Sequence, residues 1–169
     1  MKNKCNTTKI IFGIYCLLLI WIVLFKVAFN LDDVRALVSA RSINLIPFYY
    51  SCTGEFSALR RETLLNVLVF LPFGLYLKML NKPAGKAILL GFAVSLFFEI
   101  VQIALAIGAG DITDLIANTF GTAVGAWAYM LARKVFKTKK KLDRTINVLA
   151  LIALVLFFAM AALLIVGNM

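Results

Sequence analysis

The sequence predicts an all-α polytopic membrane bundle of about five spanning helices, and three observations carry that prediction. Apolar residues make up 63% of the 169 positions and the mean hydropathy is +0.95, far above the roughly 45–50% apolar content of a soluble domain. Five apolar stretches approach or exceed the ~20 residues that a helix needs to cross a hydrocarbon core about 30 Å thick. No strand-like alternation supports a closed barrel, the other way of satisfying backbone groups in lipid. The whole chain, 1–169, reads as a single membrane domain.

The first helix is expected over 10–29. Lys2, Lys4 and Lys9 precede it as in a secretory signal, but the apolar run exceeds the roughly 7–15 residues of a signal core and no A-x-A cleavage pattern follows. Segment 30–61 is expected at the outer interface, folded back over the outer mouth of the polar residues in helices two, three and four. Leu31, Val34 and Leu37 have the spacing of a short surface helix, and the stretch NLIPFYY, with Asn44, Pro47 and Phe48, suits the headgroup layer where tyrosines concentrate.

The second helix, 63–80, carries Asn66 one turn below Glu62, then Pro72 and Gly74. Proline removes a donor and frees the Leu68 carbonyl, which predicts a kink. The third helix is expected over 87–107 and the fourth over 112–131. The connection Gly108–Gly110 is so short that these two must be antiparallel neighbours. A basic loop, 132–145, leads to the fifth helix, 146–166. Helices one and five carry almost no polar residue in their middles, which predicts a lipid-facing periphery for both. Gly121 and Gly125 form a GxxxG pattern that admits a close neighbour: helix two or three of the same chain, or a second copy in a homo-oligomer.

Orientation follows from the basic residues, which insertion keeps on the cytoplasmic side. With the N-terminus inside, thirteen of the 18 basic residues are cytoplasmic, in the segments around Lys2–Lys9, Lys78–Lys86 and Arg133–Arg144. Lys26, Arg35, Arg41, Arg60 and Arg61 are left outside, as is the C-terminus. Attraction of about 1 kcal/mol per basic residue to anionic inner-leaflet lipid accounts for the net charge of +10, so nucleic-acid binding is not needed to explain it. Of eight acidic residues only Asp143 falls on the inner side. Acid chemistry is therefore expected to face outward.

The absence of histidine removes imidazole-based triads and most zinc sites from consideration. Cys5, Cys16 and Cys52 fall in a tail, a helix and a loop, so an intramolecular disulfide is not expected.

Depth groups the remaining polar residues. At 1.5 Å per residue, Glu99 lies about 12 Å inside the outer end of the third helix, with Gln102 one turn nearer the surface. On the same scale Asp114 lies about 4–5 Å and Asn118 roughly 10 Å deep in the fourth. Asp111, Asp114, Asn118 and Gly121 share one helical face, as do Glu99 and Gln102. The two faces are expected to meet away from lipid, with Asn66 beside them. A carboxylate at that depth costs on the order of 2.5–3.5 kcal/mol, so Glu99 is expected to be protonated or hydrogen-bonded. The structural alternative is a cap for Asp111 and interhelical hydrogen bonds of about 0.6 kcal/mol each for Asn66, Gln102 and Asn118.

NLIPF (Asn44–Phe48), NVLVFLPFG (Asn66–Gly74), EIVQ (Glu99–Gln102) and DITDLIANTFGTAVG (Asp111–Gly125), in this order, resemble the VanZ-like membrane proteins, a family named for teicoplanin resistance. The resemblance covers about half of the chain. It implies a small multi-pass helical protein of the bacterial cell membrane and a part in teicoplanin resistance. Many relatives have an arginine where this chain has Gly108 and a third acid where it has Thr113.

Three functions from different classes follow. The first is an envelope protein that binds a lipid or lipid-linked cell-wall species at an outward polar cleft formed by Asn66, Glu99, Gln102, Asp111, Asp114 and Asn118. Arg60 and Arg61 would hold lipid phosphates there. The second is a membrane enzyme acting on a lipid-linked cell-wall precursor through Glu99 and Asp114. No cofactor is expected, and Mg²⁺ or Ca²⁺ enters only under this second reading. The third is a small proton-coupled transporter, which a mid-membrane Glu99 suits and the lack of an internal repeat does not.

Overall fold

The computed structural model describes residues 2–25, 43–48, 56–106 and 110–167. The expected surface helix around Leu31–Leu37, Lys26, Arg35, Arg41, Cys52 and Gly108 lie outside the described residues, as does the side chain of Arg60. Five helices of spanning length and apolarity occur among the described residues. They are α1 (Lys2–Phe25), α2 (Phe56–Met79), α3 (Ala84–Leu105), α4 (Ile112–Val135) and α5 (Lys139–Gly167). Two two-residue strands, β1 (Ile43–Asn44) and β2 (Gly110–Asp111), pair in parallel. The chain is thus a multi-pass membrane protein. Its shortest span, α3 at 22 residues, is about 33 Å long at 1.5 Å per residue.

The turn between α2 and α3 is written in the sequence Asn81-Lys82-Pro83. Asn81 takes the left-handed conformation (φ 62°), its N–H donates to the Lys78 carbonyl, and the Lys82 N–H donates to Leu77. This double bond closes a helix C-terminus. Pro83, which cannot prolong α2, opens α3. α3 also ends on a left-handed residue, Ala106 (φ 56°), whose N–H donates to the Gln102 and Ile103 carbonyls. α2 and α4 therefore run parallel, with α3 antiparallel to both.

Glycines decide how these three helices meet. A methyl group on Gly121 would overlap the Val67 backbone, one on Gly125 the Leu71 carbonyl, and one on Gly74 the Thr122 carbonyl. α2 and α4 accordingly make the most extensive helix pair, with backbones at a distance only glycine allows. Gly91 of α3 closes on the Thr122 side chain from the other flank. The GxxxG pattern is thus filled by α2 of the same chain. Pro72 sits inside α2 without ending it.

α1 departs from the peripheral place expected of it. Ile11 and Leu19 are buried, Phe12 lies 5.7 Å from Phe73 and 5.5 Å from Tyr76 between ring centroids, and the Tyr15 hydroxyl donates to the Val69 carbonyl at 2.6 Å, in the turn before Pro72. An aromatic face buries as well as an aliphatic one and needs no charge to do so, so a lack of mid-helix polar residues does not separate a core helix from a peripheral one. α5 is peripheral: only 6% of its most apolar window is buried. The basic segment 132–145 also differs from a simple loop. α5 already begins at Lys139, and only 136–138 lies between the helices.

The two ends of the bundle differ in chemistry. Lys78, Lys82, Arg133, Lys134 and Lys139 gather at one end around a shared cleft, where Lys139 Nζ donates to the Met79 carbonyl and to Asp143. Glu99, Asp111 and Asp114 belong to the opposite end.

Candidate functional site

The carboxylate end is built on the first turn of α4. Asp111 takes an extended conformation and caps the helix, its Oδ1 accepting the Thr113 N–H at 2.7 Å. Asp114 follows in the same turn, where the exposed N–H groups and the helix dipole favour negative charge. Replacing Asp111 with alanine is expected to lower stability by about 1 kcal/mol, read as a lower unfolding temperature in detergent. An unchanged midpoint would contradict the cap.

Glu99 reaches this turn from α3. Its side chain is buried at 6% exposure, and Oε2 accepts the backbone N–H of Asp111 at 2.8 Å. Gly110 packs closely on α3 here: a Cβ there would lie 2.5 Å from the Ile103 Cδ1 and 3.9 Å from Glu99 Oε2. The acid expected to need a partner thus has one, a backbone donor on the neighbouring helix. Asp114 is held by Asn66, whose Nδ2 donates to its Oδ1 at 2.6 Å. Among the described residues no group of three or more His, Cys, Asp and Glu is placed to hold a metal ion. The carboxylates share an end of the bundle.

Segment 43–48 straps this end. β1 pairs Asn44 with Asp111, and the Asn44 side chain serves both sides. Its Nδ2 donates to Asp111 Oδ2 at 3.2 Å while its Oδ1 accepts the Ile46 N–H. Such an Asx turn starts a reversal. Pro47 and Phe48 complete it, with Phe48 in the left-handed region (φ 57°) and its N–H donating to Thr113 Oγ1 at 3.0 Å. Thr113, itself buried, thus supplies the acceptor for that N–H. Leu45, Ile46 and Phe48 are exposed.

Other sequence-derived candidates take different partners. Gln102 turns from Asp114 to α1, where its Nε2 donates to the Val23 carbonyl at 3.0 Å. Counting residues along a helix sets depth but does not fix the direction around it. Asn118 is fully buried and donates to Ser95 Oγ at 2.9 Å. Its Oδ1 has no hydrogen-bond partner among the described residues. Asn66, Glu99, Asp111, Asp114 and Asn44 thus form one connected end. Gln102 and Asn118 join helices, while Arg61 is exposed near the start of α2.

Sequence reasoning missed Ser95 and Thr113. A serine or threonine in an apolar helix commonly bonds its own backbone, as Thr119 and Thr122 do, so nothing distinguishes one that reaches across. It also missed a polar contact at the basic end, where Tyr76 donates to Asn147 and Asn147 donates to Thr8.

The sequence profile of the VanZ/LLP1 family matches residues 12–133, which include α2, α3, most of α4 and the strap. The chain is also similar to the protein VanZ of Enterococcus faecium, 43% identical over 146 residues that cover 85% of this chain and 86% of that protein. No solved structure matches it. With the profile spanning the glycine seam and the carboxylate end, and the similarity extending over most of both chains, this protein belongs to the VanZ/LLP1 family.

Proposed function

We propose that the protein resides in the bacterial cell membrane and contributes to teicoplanin-type glycopeptide resistance by binding a lipid or lipid-linked cell-wall species at its carboxylate end. Family membership supports the resistance class. The observation that carries the ligand reading is the pair of half-buried carboxylates, Asp111 and Asp114, fixed by Asn44 and Asn66 beside a strap of exposed apolar residues. Carboxylates held in this way accept hydrogen bonds from hydroxyl or ammonium groups, while Leu45, Ile46 and Phe48 suit a lipid tail. Arg60 and Arg61, at the start of α2, supply charge for a phosphate. The excess of basic residues at the opposite end supports an outward direction for the carboxylates.

Glu99 has a different role in this reading. Buried on the Asp111 N–H, it holds the turn from which the two half-buried acids project.

The substitution Asp114→Asn tests the proposal, because asparagine keeps an oxygen for the Asn66 amide and removes the charge. Cells making the variant at wild-type abundance are expected to lose most of their protection against teicoplanin. Unchanged protection at equal abundance would overturn the ligand role of this carboxylate.

A further inference from the structure

The opposite end of the bundle holds an open cleft of about 540 Å³ between the α2–α3 turn and the α4–α5 junction. Lys78, Lys82, Arg133, Lys134 and Lys139 line it, with Tyr129 on one wall. Part of this charge is answered within the chain. Asp143 accepts from Lys139 at 2.6 Å and from the Tyr129 hydroxyl at 2.8 Å, and Lys78 donates to the Lys82 carbonyl. Asp143 is the one acid facing these cations among the described contacts, so the cleft keeps a large positive excess.

Placement near helix C-termini would account for cations in general, through the dipole and the last carbonyls. It does not account for Arg133. Its Nη1 is buried and has no hydrogen-bond partner among the described residues. A guanidinium held beside protein with one nitrogen unpaired is costly; Nη1 itself is closed off, but Arg133 lines the cleft, and an anion bound there would offset the guanidinium charge together with the repulsion between the lysines.

The surroundings indicate where the anion comes from. Trp127, Met130 and Leu131, at i, i+3 and i+4 on α4, are exposed and form one apolar face running from the cleft toward the middle of the span. A free ion has no use for that face, whereas an acyl chain lies along it.

We propose that this cleft binds the phosphate headgroup of an anionic phospholipid, with Arg133 as the central contact and the lipid tail against Trp127, Met130 and Leu131. The site is separate from the carboxylate end and independent of the function proposed for it.

Native mass spectrometry of protein extracted from bilayers of phosphatidylcholine and phosphatidylglycerol tests this. The wild type is expected to retain phosphatidylglycerol in preference to phosphatidylcholine. Arg133→Gln should weaken retention about tenfold, equivalent to about 1.4 kcal/mol, while Lys140→Gln, on a lysine outside the cleft, should leave it unchanged. Equal losses in both variants would mean diffuse attraction and overturn the site, as would equal retention of the two lipids by the wild type. Should Arg133→Gln fail to fold, Lys82→Gln on the opposite wall is expected to reduce retention in the same direction, and full retention would sink the proposal. Inorganic phosphate distinguishes the source. If it raises the unfolding temperature of the wild type as much as phosphatidylglycerol does, and Arg133→Gln abolishes both effects, the occupant is free phosphate and the lipid assignment fails.

Discussion

Gly125→Val is expected to separate α2 from α4 and to cost about 3 kcal/mol or more, the upper range for overpacking. A side chain at this position meets the Leu71 carbonyl and the start of the next turn of α2. Backbone cannot rotate aside as the end of a flexible side chain can, so the helices must move apart and give up the contact along Val67, Leu71 and Gly74. Gly121→Val should act in the same direction through Val67. Gly13 provides the control, since nothing lies within 4 Å of a Cβ there. Gly13→Ala is expected to be neutral or to stabilise by up to about 1 kcal/mol through helix propensity. Thermal unfolding in detergent reads all three, and equal midpoints for Gly125→Val and Gly13→Ala would refute the seam. A second copy of the chain would have to displace α2 to use these glycines, so the variant should lose monomer stability before it changes any self-association.

The second large effect is expected at Glu99, and the informative comparison is alanine against glutamine. Glu99→Ala removes the acceptor of the Asp111 N–H and leaves that half-buried donor without its partner, at a cost of up to about 1–3 kcal/mol in addition to the cavity. Glu99→Gln keeps an oxygen that can accept the same bond and should lose clearly less. Because Asp111 also caps α4 and carries Asn44, the alanine variant should loosen segment 43–48 as well, seen as faster hydrogen exchange at the Phe48 amide. Equal destabilisation by alanine and glutamine would show that the charge, and not the acceptor, holds this turn together.

Much of this arrangement was legible in the sequence, for identifiable reasons. Spans are long and their hydropathy is an average, so five of them survive any local ambiguity. Asp111 could be read as a cap because capping depends on neighbours two residues away, and the Gly121/Gly125 spacing is local in the same sense. The individual contacts of the strap could not be read in this way. Phe48 N–H finds Thr113 Oγ1 across 65 residues, and no periodicity in either segment encodes that meeting. Gln102 shows a related limit: its depth was set by counting residues, but its partner, Val23, depended on α1 entering the core, and α1 does so with aromatic residues that read equally well as lipid-facing. Ser95 went unnoticed because a small hydroxyl in an apolar run gives no sign of which helix it faces.

The outward direction of the carboxylate end is the claim on which the proposed function rests, and accessibility in intact cells tests it most directly. In a chain with Cys5, Cys16 and Cys52 replaced by serine, Ile46→Cys on the strap should react with a membrane-impermeant maleimide added to whole cells, while Lys140→Cys should react only after the membrane is opened. The reverse pattern would place Asp111 and Asp114 on the cytoplasmic side and contradict a site open to the outer leaflet.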